Sequence, residues 1–75
     1  MSNLLNIKKE VGQRLKESRK AIGKTQTEIA KMLNMTQQQY SRFENGVFEL
    51  SYDQIITLCQ IYDISSDFLF GMKSY

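Results

Sequence analysis

The sequence predicts an all-α fold, a compact arrangement of five short helices, and three observations carry that expectation. The chain of 75 residues contains no proline, the residue that most reliably breaks a helix. Its apolar residues recur at intervals of three and four, the period of a helix with one buried face. The pattern Ser/Thr-x-x-Glu/Gln occurs at Thr25-x-x-Glu28, Thr36-x-x-Gln39 and Ser51-x-x-Gln54. In such a capping box a hydroxyl satisfies an orphan amide of the first turn while the later side chain reaches back.

Residues 1–6, MSNLLN, leave two readings open. Either Ser2, Asn3 or Asn6 caps the first helix with Leu4 and Leu5 in its first turn, or the leucines form a short arm. From Ile7 the pattern is regular: Ile7, Val11, Leu15, Ser18 and Ile22 form one stripe of an amphipathic helix. Gly23 stops it, with Lys20 and Lys24 near the negative end of its dipole. Arg19 flanks the stripe.

The second helix begins after Thr25 and carries Ile29, Ala30 and Leu33 on one face. It ends near Asn34, which tolerates the left-handed conformation better than any residue but glycine. Met35 plugs the turn, and Thr36 opens the third helix. At roughly 100° per residue, Thr36, Tyr40, Phe43 and Val47 share one face of that helix. Gln38, Ser41, Arg42 and Asn45 share the opposite one, and Gln37 flanks them at the free N-terminal end. The outer face is polar but not acidic. A solvated helix usually alternates Lys and Glu; here amides, a hydroxyl and a guanidinium are offered, the groups that read base edges. The plainer alternative is a Gln-rich surface helix. Glu44, only about 40° from Tyr40 by the same angle, needs a partner, because burying a carboxylate unpaired is costly.

Gly46 ends the third helix, and the loop Val47-Phe48-Glu49-Leu50 follows without a positive charge. Phe48 and Leu50 either face a partner or seal the base of the core. After the Ser51 cap, Tyr52, Ile55, Ile56, Cys59 and Tyr62 line the buried side of a fourth helix that Leu58 and Ile61 widen. Asp63 stands at its stop. Ser65 or Ser66 with Asp67 caps a last short helix, Phe68-Leu69-Phe70, which Gly71 ends. Phe68, Met72 and Tyr75 either extend an apolar patch of the kind that marks interfaces or belong to a tail folded back on its own core.

The run Gln26-Thr27-Glu28-Ile29-Ala30, the turn, Thr36-Gln37-Gln38-Gln39 and Phe43-Glu44-Asn45-Gly46 resemble the helix-turn-helix family of lambdoid phage repressors and Cro proteins. The resemblance covers about residues 7–70 and implies a five-helix repressor-like DNA-binding domain with the motif at its second and third helices, usually dimeric, the third helix entering the major groove. It implies that Gln37, Gln38, Ser41 and Arg42 contact bases. Gln26, Thr25, Thr36, Gln39, Asn45, Arg14 and Lys24 would contact phosphates. It pairs Arg19 with Glu44 and makes a homodimer the expectation; the apolar Phe48, Leu50, Phe68 and Met72 are the candidate interface on their own chemistry, Phe68 standing at a position commonly polar in the family. Relatives often carry Lys or Arg in the loop at 47–50, and Gly where Asp63 stands.

Length bounds these expectations. Residues 1–75 fit one domain, near the lower limit for a self-sufficient core, and 41% apolar content suffices for a small helical globule. Net charge is only +2, yet Lys8, Lys9, Arg14, Lys16, Arg19, Lys20 and Lys24 gather in the first third while residues 43–70 hold no Lys or Arg. Those early cations are either phosphate contacts or a solvated face. A lone Cys59 without any histidine excludes a protein-only zinc site and an internal disulfide, and Cys59 reads as a small buried apolar residue. With no Gly-rich phosphate loop, neither cofactor nor metal nor catalysis is expected. No apolar run is long enough for a membrane and no signal-peptide core is present, so the expected location is cytoplasmic.

Two functions compete on this evidence. The first is a sequence-specific regulator of double-stranded DNA, of phage or mobile-element repressor type. The second is a protein-interaction module of the same fold, antitoxin-like or regulator-binding, since fold alone does not fix function. The loop without a positive charge and the aromatic tail lean toward the second; the outer face of the third helix leans toward the first.

Overall fold

The computed structural model describes residues 7–74, so the two readings of residues 1–6 and the expectation for Tyr75 lie outside the described residues. Within them the chain folds as α1 (Ile7–Ala21), α2 (Gln26–Met32), α3 (Gln37–Glu44), α4 (Tyr52–Tyr62) and α5 (Ser66–Leu69). All three capping boxes form. Thr25, Thr36 and Ser51 each accept from the amide three residues on, and Glu28, Gln39 and Gln54 each accept from the cap's own amide. Ser65 caps α5 by accepting from the Phe68 amide.

The helix ends share one device as well. A residue with positive φ follows each helix at Gly23, Asn34, Gly46, Asp63 and Gly71. The next amide then donates back five residues: Lys24 to Arg19 at 3.2 Å, Met35 to Ala30 at 2.9 Å, Val47 to Arg42 at 2.9 Å, Ile64 to Cys59 at 3.0 Å and Met72 to Asp67 at 2.7 Å. This closure satisfies carbonyls that would otherwise be orphaned. Asn34 at φ 58° and Asp63 at φ 54° do it without being glycine, and their short polar side chains lower the steric cost.

Val11, Leu15, Ile29, Ala30, Tyr40, Phe43, Leu58, Tyr62 and Leu69 form the core, so every helix contributes to it. The helix α3 lies against both α1 and α2. At its C-terminal end α1 comes so close that a Cβ on buried Gly12 would overlap the carbonyl oxygens of Phe43 and Glu44. The sequence carried no sign of this contact, because a glycine inside a helix looks like a mere weak point.

Several apolar assignments need correction. Tyr52 is 86% exposed and Ile56 56% exposed, although both fall on the expected stripe of α4. Leu58, expected only to widen that stripe, is instead its fully buried centre. Ile22 lies beyond the end of α1 and is 40% exposed, and Val47 lies in the turn after α3 rather than on its core face. Periodicity identifies an apolar face, but burial also needs another element to cover it.

Candidate nucleic-acid interface

The carboxylate of Glu44, with only 1% of its side chain exposed, is the hub that joins α1, α2 and α3. Arg19 Nε donates to its Oε2 at 2.7 Å and Arg19 Nη2 to its Oε1 at 3.1 Å, a bidentate pair. Gln26 Nε2 donates to the same Oε1 at 3.0 Å. Burial by itself would push the Glu44 carboxyl up, but hydrogen bonds from Arg19, Gln26 and the Tyr40 hydroxyl outweigh it and hold the group below the usual carboxylate range. The Arg19 guanidinium is pushed further up by the same hydrogen bond. Behind the hub the Tyr40 and Tyr62 hydroxyls share a hydrogen bond. Burial raises both phenols, Tyr62 to about 12.

From the hub a chain of amides runs outward. Gln37 Nε2 at the start of α3 donates to Gln26 Oε1 at 2.6 Å. An ionised carboxylate can only accept, so Gln26 must turn its NH2 toward Glu44 and present its oxygen to Gln37. Gln37 must in turn donate, which leaves its own oxygen and one N–H toward solvent. The orientation of both amides is therefore set by the buried charge.

The other base-contact candidates sit beside Gln37 on α3. Gln38 and Arg42 are exposed, and Ser41 is half-buried with its hydroxyl accepting from Asn45 Nδ2 at 3.3 Å. No carboxylate faces outward along this helix, since its one acidic residue is the buried Glu44. The phosphate-contact candidates divide. Gln39 spends its oxygen on the Thr36 amide at 2.9 Å and keeps its NH2. The Thr36 hydroxyl accepts from the Gln39 amide at 3.1 Å and is not bonded as a donor among the described residues. Asn45, the C-cap of α3, is exposed at the far end. Lys24 is exposed and stands 3.9 Å from Glu28. Thr25 is less available, because its hydroxyl both accepts from the Glu28 amide and donates to the Glu28 carboxylate. Arg14 is placed elsewhere: it donates to the Leu69 carbonyl at 3.3 Å, stands 3.6 Å from Glu10 and lies over Gly71. Arg14 thus ties α1 to the end of α5.

Of the four expected interface residues, two share a groove. Phe48 and Leu50 line a groove of ≈ 270 Å³ with Ile7, Val11, Tyr52 and Phe70. Phe68 borders a separate depression beside Ile64, and Met72 is 76% exposed. Phe70 and Tyr52, rather than Phe68 and Met72, complete the apolar surface around Phe48. The Cys59 thiol is half-buried and raised by that burial. Among the described residues no group of three or more His, Cys, Asp or Glu could hold a metal ion. No helix among them is long and apolar enough to cross a membrane.

Comparison with known proteins follows the same elements. Residues 15–69 match the helix-turn-helix family. The chain is 36% identical over 61 residues to the HTH-type transcriptional regulator ImmR of Bacillus subtilis, covering 81% of this chain and 48% of that protein. It is 33% identical over 55 residues to the antitoxin PezA of Streptococcus pneumoniae, covering 73% of this chain and 35% of that protein. The chain thus corresponds to about half of the first relative and a third of the second. Five helices with α2 and α3 clasped at Glu44 and a match that spans α2 to α5 together establish that the chain belongs to the helix-turn-helix family of DNA-binding transcriptional regulators, of the lambdoid repressor and Cro type.

Proposed function

We propose that this chain is a single domain, residues 1–75, that binds double-stranded DNA sequence-specifically as a homodimer and represses transcription from a near-palindromic operator in the cytoplasm. The observation that carries the proposal is the outward face of α3, where Gln37, Gln38, Ser41 and Arg42 stand together without a carboxylate. Amides match adenine N6 and N7, and a guanidinium matches guanine O6 and N7. Gln26, Gln39, Thr36, Asn45 and Lys24 flank that face and position it on phosphates. Two copies of α3 in successive major grooves require half-site centres about 10 bp apart. The apolar groove that Phe48 and Leu50 line supports a dimer contact there, and Phe68 and Met72 are the further candidates for the same interface.

A second reading has its own support. The groove around Phe48 and the likeness to a protein named an antitoxin favour capture of a protein partner. Selection from a random DNA pool at physiological salt separates the two. A near-palindrome whose affinity falls steeply with added salt supports DNA reading; a pool that stays unenriched, with tight capture of a protein in its place, supports the interaction module.

A further inference from the structure

The chain leaves α3 through the Gly46 turn, and the amide of Val47 donating to the Arg42 carbonyl at 2.9 Å folds the following residue back beside the helix. That residue is Phe48. The Arg42 guanidinium carbon lies 5.4 Å from the centre of the Phe48 ring, inside the range of a cation–π attraction. Among the described residues no carboxylate pairs with Arg42, so the ring is its named partner. The attraction acts on the charge and uses none of the guanidinium N–H donors, which stay available for a base edge.

We propose that Phe48 is a positioning residue for base reading: its ring confines Arg42 to the outward face of α3 before DNA arrives. The inference rests on the proposal that α3 reads DNA and adds a specificity-determining residue outside that helix. A long side chain loses rotamer freedom when it engages a base, and one already confined loses less. The ring can serve as a fixed platform because it is braced from the protein side. It is 49% exposed and also lines the apolar groove beside Leu50, Tyr52 and Phe70. This loop, itself without a positive charge, instead supports a cation on the neighbouring helix.

The test is selection from a random DNA pool with the wild type, Arg42→Ala, Phe48→Leu and Phe48→Tyr, followed by titration of the enriched site. Arg42→Ala identifies the symmetric base pair that Arg42 reads. Phe48→Leu, which keeps the groove lined with an apolar side chain, is expected to cut the preference at that same pair about two- to fivefold, the size of an exposed cation–π contact. Relative preference at the other pairs should stay as in the wild type, any loss from the proposed dimer contact appearing as an overall fall in affinity shared by all sites, and Phe48→Tyr should restore the lost preference. A Phe48→Leu protein that keeps the wild-type preference at that pair, whatever its overall affinity, or loses preference equally at every pair, overturns the inference while leaving DNA reading intact. A wild type that enriches no sequence overturns DNA reading and this inference with it.

Discussion

Gln37, at the first position of α3, donates to Gln26, at the first position of α2, across 2.6 Å. A residue proposed to touch bases is therefore held by one proposed to touch phosphate, and both are oriented by Glu44. Gln26→Ala should release Gln37 and take one donor from a buried carboxylate. The expected cost is about 1 kcal/mol in stability and a similar loss in affinity for the selected site. Thermal unfolding and titration of that site measure the two effects separately.

Arg19→Met should be far more damaging, because it strands the buried Glu44 charge. Breaking one side of a buried pair costs about 3–5 kcal/mol. Replacing both residues, Arg19→Met with Glu44→Met, should recover much of that loss, since the cost lies in the unpaired charge. Denaturant melts of the single and double variants check the sign of the coupling.

Acid should attack the same hub. The folded carboxyl of Glu44 is held below its unfolded value, so its stabilising contribution is present above the unfolded pKa, about 4.3, and is lost as pH falls through the folded value. Glu44→Gln should be less stable than the wild type at neutral pH and should show a shallower acid limb. Melting temperatures from pH 7 to pH 2 provide the comparison.

The stop of α4 can be improved. Asp63 is exposed, sits at φ 54° and places a negative charge at the negative end of the α4 dipole. Asp63→Gly relieves the backbone and removes the charge, at the expense of some unfolded-state entropy. A net gain of about 0.5–1 kcal/mol is expected, which raises the melting temperature of a domain this size by a few degrees. Calorimetry would show a fall instead if the side chain held the turn.

Much of this was legible in the sequence because the signals are local. Each capping box is a pair of residues three apart that bond to each other's backbone, and Asn34 and Asp63 close helices by their own conformation. Arg19 with Glu44 was reachable only through family resemblance; the angles alone said that Glu44 needs a partner. What stayed hidden depends on which elements meet. The contact at Gly12, the tie from Arg14 to α5, the Gln26 bond to Glu44 and the exposure of Tyr52 and Ile56 all depend on a neighbour that helical spacing does not name.

Gly12 offers a direct probe of one such contact. Gly12→Ala improves helix propensity in α1 yet drives a methyl into the carbonyls of Phe43 and Glu44. The clash should prevail, with a loss of about 1–3 kcal/mol, the usual cost of overpacking. A stabilised Gly12→Ala protein would mean that α1 does not sit this close to the end of α3.

The central claim is that the outward face of α3 reads base pairs, and Gln38 is an exposed residue on it whose side chain makes no hydrogen bond or ion pair among the described residues. The most direct measurement is selection from a random DNA pool with the wild type and Gln38→Ala in parallel. The account predicts a near-palindromic site for the wild type and, for Gln38→Ala, loss of information at one symmetric base pair, worth about 1–3 kcal/mol per contact. A wild type that enriches no sequence, or a Gln38→Ala protein that selects the same site with undiminished preference at every position, would contradict it.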